Sequence, residues 1–342
     1  TAADQRYAIM NTIAFLSAPR FYQRNNASLT ADFRATSDLS LGVKFFYFDS
    51  NLWNPQRTVT MTAGTRTAVG GDGLTDLTSA TNASISDSGI SYVQKFGKSL
   101  MIAPSFDWKL GNLTVEGRFA MTDAKSWYAS EDRGVIRNPG ALAVSGARFT
   151  ATRSSVMSPD WQITQISGND ISAAASFPSG TTMSTVDGRS STQKFYTAKL
   201  DATLPTNLGI PIIWKAGGKY SYEGRGYDNI INLHQYRYTG GSYWTDKVAE
   251  FVFNDSGNGG KITSISGGRI FMPDLSAAYQ DFRTNPGNYQ QVLTAAGAYD
   301  AWVGNHSRYG EEIGAAYLMG TAQLTRKATL RAGLRYEKTT NI

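Results

Sequence analysis

Two histidines are the residues of this chain best suited to acid–base or metal chemistry. His234 lies in the segment INLHQYRYTG and His306 in WVGNHSRYG, and a zinc site or a Ser-His-Asp triad would have to use one of them. Neither belongs to an HExxH or HxH pattern, and the chain has no cysteine for a thiolate site or a thiol nucleophile. We therefore expect surface histidines, no metal site, no cofactor and no enzymatic activity.

Glycine-rich runs and paired carboxylates are two further places where chemistry could occur. The runs GGDG at 70–73 and GNGG at 257–260 do not join a strand to a helix, and neither ends in Gly-Lys-Ser/Thr. They are typical of flexible loop tips rather than of phosphate-binding loops. The acidic pairs at 131–132 and 311–312 are sequence neighbours on exposed loops or at a strand start. We expect these carboxylates to be solvated.

The loop segment YRYTGGSYW is an aromatic candidate for ligand binding. Tyr236, Tyr238, Tyr243 and Trp244 could stack on a sugar or on an aromatic siderophore. The alternative, which we favour, is that this loop packs against its neighbours or lies at the headgroup level of a membrane, where Tyr and Trp concentrate.

Charged side chains within strands form the second candidate site. One face of a predicted hairpin carries Lys199, Asp201, Lys215, Lys219, Glu223 and Arg225, and the last strand adds Arg331, Arg335 and Glu337. These charges suit the hydrated wall of a lumen, and they also suit a polar track that contacts a substrate. The two hypotheses are compatible.

A period of two positions these side chains. In the last strand Leu330, Leu334 and Tyr336 alternate with Arg331 and Arg335, which indicates a strand with two unlike faces. The same alternation recurs in pairs of strands along the chain. It predicts four hairpins, with turns at 37–38, 111–112, 205–211 and 325–327.

Long segments at about 50–99, 123–193 and 226–310 separate the hairpins. They are rich in Gly, Ser, Thr, Asn and Asp and predict loops with little regular structure, apart from a short helix at 286–296. Tight turns at one end and long loops at the other are typical of outer-membrane barrels. The sequence thus predicts an all-β fold: an antiparallel meander of about eight long strands, part of a transmembrane outer-membrane β-barrel with long extracellular loops. Apolar side chains would face lipid.

Composition limits the remaining classes. The formal net charge is +6 without a Lys/Arg block, so we expect no nucleic-acid partner. No run of about 18 apolar residues predicts a transmembrane helix. The start has no basic region followed by an apolar core, so we expect a chain that is cytoplasmic, already processed or part of something larger.

Several strands resemble those of TonB-dependent outer-membrane transporters. The segment EEIGAAYLMGTAQLTRKATLRAGLRYEKTT at 311–340 resembles a mid-barrel strand pair of that family, with Glu312-Ile313, Ala316-Tyr317 and GLRYEKT at 333–339. The segment ASLTADFRATSDLSLGVKFFYF at 27–48 resembles an early barrel hairpin, and KAGGKYSYEGR at 215–225 resembles another barrel strand.

The resemblance implies a transport protein of the bacterial outer membrane, with outer-membrane lipid, TonB and a scarce nutrient as partners. In that family a barrel of about 22 strands encloses a plug, and the plug, coupled to TonB, admits siderophores, cobalamin or oligosaccharides. The charged strand face would then contact plug or substrate. This sequence shows no plug domain and no terminal aromatic strand, so we expect residues 1–342 to be a partial barrel domain from the middle of a longer protein.

Two alternatives remain at this point. One is a complete small barrel of eight strands that acts as an adhesin or surface-binding protein through its loops. The other is a soluble secreted β-sandwich that binds or cleaves glycans, in which the apolar strand faces form the core. The partial barrel predicts an open, curved sheet with both chain ends on the long-loop side. The small barrel predicts that its first and last strands pair.

Overall fold

Antiparallel strands make up most of the molecule. The structure, a computed structural model, describes residues 9–87, 91–140, 142–176, 182–240, 248–252 and 269–342. Its strands are β1 (Thr12–Ser17), β2 (Phe21–Arg34), β3 (Leu39–Thr62), β4 (Gly70–Gly71), β5 (Asp76–Thr78), β6 (Ser84–Asp87), β7 (Ser91–Leu110), β8 (Leu113–Tyr128), β9 (Leu142–Ser145), β10 (Arg148–Thr152), β11 (Gln162–Ser167), β12 (Thr182–Ser184), β13 (Arg189–Asn207), β14 (Pro211–Asn229), β15 (Gln235–Tyr238), β16 (Val248–Val252), β17 (Arg269–Pro273), β18 (Tyr289–Gln291), β19 (His306–Thr325) and β20 (Ala328–Asn341).

Eight long strands form one meander, which we call the eight-stranded sheet. Its order is β2-β3-β7-β8-β13-β14-β19-β20, and every neighbouring pair is antiparallel. The alternation of apolar and polar residues therefore predicted the correct strands and the correct class of sheet.

The eight-stranded sheet is open. Among the described residues no backbone pairing joins β2 to β20, and the sheets are not closed into a barrel. This agrees with the open sheet expected from the sequence and contradicts the complete eight-stranded barrel, in which these two strands must pair.

The four predicted hairpins are all present at one end of the sheet. The link between β7 and β8 contains Gly111, whose φ of 61° is suited to a two-residue turn. The third turn is tighter than the predicted 205–211, because β13 continues to Asn207 and β14 begins at Pro211. Pro205 is accommodated because β8 pairs with β13 only as far as Thr203, so no ladder on that side needs the missing N–H.

The predicted loop boundaries were too wide. Strand β3 continues to Thr62 and β7 begins at Ser91, so much of 50–99 is strand; β8, β13, β14 and β19 likewise extend into 123–193 and 226–310. Pro55 lies within β3. It lies opposite the gap between β1 and β2, where no neighbouring strand needs its N–H group.

The long segments are also structured, which corrects the prediction of loops with little regular structure. We call the loop assembly the part beyond the long strands: β1, the end of β3, β4 to β6, β9 to β12, β15, β18 and two helices. Strands β4, β5, β10 and β11 form a four-stranded sheet, and β12, β15 and β18 a three-stranded one. Local periodicity misses such short strands because their partners are distant in sequence.

The hydrophobic core lies in the loop assembly. Met61, Leu77, Phe149, Ile163 and Met183 are fully buried in one cluster. In the eight long strands, with β3 taken only as far as Trp53, no apolar side chain is buried among the described residues. The core that stabilises this molecule is therefore at the long-loop end.

Two helices replace the single helix predicted at 286–296. They are α1 (Leu275–Thr284), capped by the Asp274 side chain, and α2 (Ala295–Gly304), capped by Thr294. Between them a 3-10 turn and β18 occupy most of the predicted range. Gly297 does not end a helix: it lies in the first turn of α2, where its N–H group donates a hydrogen bond to the Thr294 hydroxyl oxygen. Among the described residues no helix has the length and apolar character needed to cross a membrane.

Candidate functional site

Strand register sorts the side chains of the eight-stranded sheet onto two unlike faces. Residues directly opposite each other on neighbouring strands share a face. One such row crosses all eight strands through Phe33, Leu41, Phe106, Gly117, Leu200, Gly218, Ala316 and Tyr336. We call the side with this row the apolar face. The next row along the strands lies on the other side and runs through Asp32, Gly42, Ser105, Arg118, Lys199, Lys219, Ala315 and Glu337. We call that side the charged face.

The apolar face is uncovered by other described parts of the chain. Leu334 is 85% exposed, Tyr336 70% and Phe33 64%. Large apolar side chains at this exposure cost free energy in water, at about 25 cal/mol per Å² of apolar surface. The described residues leave this apolar surface uncovered.

Aromatic side chains mark two levels on the apolar face. On β14, Trp214 and Tyr222 lie on this face, and the strand between them is about 27 Å long. Tyr196 stacks beside Tyr222 with ring centroids 5.9 Å apart, and Trp108 lies near the turn of its own hairpin. Outer-membrane barrels have an apolar band about 25 Å tall between two aromatic girdles. At the strand tilt of about 35–45° found in such barrels, about 27 Å of strand spans about 19–22 Å along the membrane normal, slightly less than the height of that band.

The charged face brings together all nine strand residues that the sequence singled out. Register places them on one side of β13, β14 and β20: Lys199, Asp201, Lys215, Lys219, Glu223, Arg225, Arg331, Arg335 and Glu337. Cross-strand pairing thus confirms that they share a surface.

Asp201 is the most buried of these charged groups, with a side chain 6% exposed. Lys199 Nζ lies 2.6 Å from its carboxylate, and the Tyr317 hydroxyl donates to Oδ1 at 2.6 Å. Tyr317 is on β19, so this contact reaches across β14, over Gly217. A Cβ added at Gly217 would lie 2.3 Å from Asp201 Oδ1 and 2.7 Å from the Tyr317 ring. The glycine is what allows the two side chains to meet.

Most of the other carboxylates on this face also form ion pairs. Arg118 contacts Asp107 at 2.6 Å and Glu116 at 3.5 Å, and Arg335 pairs with Glu337. In the half of the face nearer the turns, the carboxylates are Asp32, Asp107, Glu116, Asp201 and Glu337. The cations of the same half are more numerous: Arg34, Lys44, Lys109, Arg118, Lys199, Lys215, Lys219, Arg331 and Arg335.

Sequence reasoning did not nominate Arg118, Asp107, Lys44 and Tyr317 as site residues. The first three were visible on the polar side of their predicted strands, so the alternation was sufficient to find them. Tyr317 was not assigned a face, because β19 alternates weakly. Tyr317 lies directly opposite Gly217 and Arg335 on the neighbouring strands, so its side chain is on the charged face.

Nearer the loops the charged face has a concave region lined by hydroxyls and one arginine. Its walls are Ser191, Arg225, Tyr227, Ser307 and Tyr309, around a volume of about 410 Å³. Arg225 pairs with Glu223 at 2.5 Å, and Gln193 also donates to Glu223. Polar ligands could enter this region, but its arginine is already paired.

The loop aromatics pack inside the loop assembly instead of forming an open platform. The Tyr236 ring lies 4.9 Å from Phe282, and Tyr238 lies 5.3 Å from Tyr289. Both tyrosines pack against the hydrophobic core. Tyr243 and Trp244 lie outside the described residues.

The histidines are less exposed than expected. His234 is half-buried, and burial lowers the pKa of its imidazole. His306 lies against Trp302, 4.7 Å between rings, and 3.5 Å from Asp228. Both histidines are at the surface, as predicted, but each is partly covered by its neighbours. Among the described residues no group of His, Asp and Glu is arranged to hold a metal ion.

Two other sequence expectations are corrected in the loop assembly. The carboxyl of Glu131 is partly buried rather than solvated, and burial raises its pKa. The GGDG run is an ordered turn: Asp72 accepts hydrogen bonds from the Thr75 hydroxyl and from the backbone N–H groups of Leu74, Thr75 and Asp76, which lower its pKa. The GNGG run at 257–260 lies outside the described residues.

A buried ion cluster joins the loop assembly to the sheet. The Asp187 side chain is fully buried and pairs with Arg137 at 2.9 Å and with Arg189 at the start of β13. Arg189 also lies over the Tyr128 ring at 4.1 Å. These contacts join two loops to a long strand, so we interpret the cluster as structural.

Comparison with known proteins adds no family or relative: no protein-family model matches the chain, and no curated protein is significantly similar to it. Function must therefore be argued from the geometry of the two faces.

Proposed function

We propose that the eight-stranded sheet is part of the wall of an outer-membrane β-barrel in a bacterial TonB-dependent transporter. In this proposal the apolar face contacts lipid and the charged face lines a hydrated interior. The observation that carries it is the uncovered apolar face, which continues across all eight strands.

The size of this face argues against an ordinary soluble surface. Eight strands at about 4.8 Å spacing are about 34 Å wide, and the aromatic levels are about 27 Å apart along a strand. The largest apolar patch on a typical soluble monomer covers about 300–600 Å². A soluble sandwich would need a second sheet over this face, and the described residues place none there.

The edges of the sheet favour a barrel with more strands. The outer edges of β2 and β20 have no strand partner among the described residues. Unpaired backbone N–H and C=O groups in lipid cost several kcal/mol each. In a membrane these edges must pair with further strands, as they would in a barrel of about 22 strands.

The transport function rests on the resemblance of the strands at 27–48, 215–225 and 311–340 to the TonB-dependent family. The charged face is suited to a hydrated lumen that contacts plug or substrate, and the structured loops provide an extracellular part. The substrate class within this proposal is a scarce nutrient, such as a siderophore, cobalamin or an oligosaccharide.

Detergent dependence tests the observation that carries the proposal. We expect the purified chain to aggregate in buffer alone and to become monodisperse in a nonionic detergent, as measured by light scattering after size exclusion. A monodisperse monomer without detergent would contradict a lipid-facing sheet.

The transport class needs a separate test, since many outer-membrane barrels do not depend on TonB. We expect the gene around this coding sequence to encode a plug domain, and the complete product to take up its nutrient only in cells with active TonB. A complete gene without a plug domain would reject the family while leaving the lipid-facing sheet intact.

A further inference from the structure

The turn-side half of the charged face has an unbalanced positive charge. Apart from Asp32, its carboxylates are all engaged by Arg118, Lys199 and Arg335. Within the part of the chain that the structure describes, Lys215 and Lys219 have no carboxylate within 4 Å. The surplus is thus not neutralised by the surrounding side chains.

Register concentrates part of this surplus in a short row. Arg118 lies directly opposite Lys199, and Lys199 lies directly opposite Lys219, on three successive strands. At a strand spacing of about 4.8 Å the row is about 10 Å wide. Like charges directly opposite each other destabilise a sheet. Arg118 and Lys199 are offset by the carboxylates that they contact, so Lys219 is the cation of this row that has no carboxylate within 4 Å among the described residues.

Lys215 extends the row toward the turns. It lies on the same strand and face as Lys219, about 13 Å away. Asp201 lies between the two levels, but its carboxylate is occupied by Lys199 and Tyr317 and is almost fully covered. Lys215 interacts with Asp201 at longer range without a direct ion pair. Two ammonium groups at this spacing suit a ligand with two or more separated negative groups.

We propose that this row, centred on Lys219 and Lys215, binds a small polyanion that carries carboxylate, phosphate or sulfonate groups. The inference rests on the proposed function, because it treats the charged face as water-exposed and the bound anion as transported material. It deepens that function by naming the charge class of the solute. The row has the width of a small solute, which favours this occupant over an acidic polypeptide.

Pyranine, a fluorescent dye with three sulfonates, is a direct probe. Fluorescence anisotropy of the dye would be measured with the full chain in nonionic detergent at low ionic strength. We expect saturable binding that weakens with added salt, because salt screens exposed charges. The double variant Lys215→Gln/Lys219→Gln should lower the affinity about tenfold through the loss of two charge-assisted contacts.

The chain offers a matched control on the other side of the sheet. Lys98 and Lys125 are also directly opposite each other, on β7 and β8, but they lie on the side of the apolar face, near Trp127. Lys98→Gln/Lys125→Gln changes the net charge by the same amount. We expect it to leave pyranine affinity within about twofold of the parent.

The outcomes separate this inference from its alternatives. Equal loss of affinity in both double variants would mean nonspecific attraction and would overturn it. Binding of polyglutamate but not of pyranine would overturn it in favour of an acidic polypeptide. If the chain requires detergent but binds no pyranine, only this inference fails. If the chain is monodisperse without detergent, the proposed function fails, whatever the dye does.

Discussion

The loop assembly and the eight-stranded sheet stabilise their apolar residues in opposite ways. The loop assembly is rich in Gly, Ser and Thr, yet it buries Met61, Phe149 and Ile163 in a packed core. The sheet has the more regular apolar pattern, yet Leu334 and Phe33 remain exposed. Regular alternation therefore does not by itself indicate a protein core. It indicates an apolar surface, and the surrounding structure shows whether protein or another medium covers it.

Removing a large apolar side chain from each region should give the largest difference in stability between them. Phe149→Ala should lower the free energy of unfolding of the loop assembly by about 3–5 kcal/mol, because it leaves a cavity in a packed core. Phe33→Ala on the apolar face should cost much less in detergent, since detergent chains can fill the space. Chemical unfolding followed by the fluorescence of the buried Trp161 would measure the first, and equal costs would remove the distinction.

A charge placed on each face of the sheet tests which one meets lipid. Leu334→Arg should cost about 2–4 kcal/mol in lipid bilayers if the position lies near the midplane, because the guanidinium enters hydrocarbon. Thr329→Arg on the same strand should be mild, since that position is on the charged face. Leu200→Arg and Thr197→Arg form a second matched pair on β13. Folding titrations in vesicles would give the costs, and similar values within each pair would reject the facing assignment.

Gly217 is a tightly packed position on the charged face. Gly217→Ala should cost about 1–3 kcal/mol by overpacking, because the new methyl meets Asp201, Tyr317 and the Leu200 carbonyl. Gly314→Ala on the neighbouring strand β19 is the control, since nothing lies within 4 Å of its added Cβ. Thermal unfolding in detergent would compare the two, and a harmless Gly217→Ala would show that the Asp201–Tyr317 contact is loose.

The smallest expected effect is a pH dependence in the loop assembly. Burial raises the pKa of Glu131, so the folded protein retains this proton at pH values where the unfolded chain has lost it. The associated stability is present at low pH and decreases as pH rises above the ordinary value of 4.5. Glu131→Gln should therefore stabilise the loop assembly at pH 7 and not near pH 4. An equal effect of Glu131→Gln on stability at pH 4 and pH 7 would contradict this assignment.

The sequence was sufficient for the parts of the fold that repeat locally. Alternation along β13, β14 and β20 predicted the strands, their turns and the common face of Lys199, Lys219 and Arg335. It was insufficient for the loop assembly, whose short strands pair over long distances. Leu77 lies opposite Ala151, and Asp187 binds Arg137 from a different part of the same loop. Contacts of this kind leave no period in the sequence, so the core and the Asp187 cluster were missed.

Quenching of tryptophan fluorescence by a brominated detergent tests the central claim most directly, because bromine quenches only rings that contact the detergent chains. Trp108 and Trp214 lie on the apolar face and are 42% and 38% exposed, whereas Trp161 is 6% exposed in the core. If the apolar face is the surface that lipid covers, brominated dodecyl maltoside will quench the parent chain, and Trp108→Phe/Trp214→Phe will lower that quenching. Trp161→Phe will leave it unchanged. Quenching that is unchanged by the double substitution, or that depends on Trp161, would contradict the account.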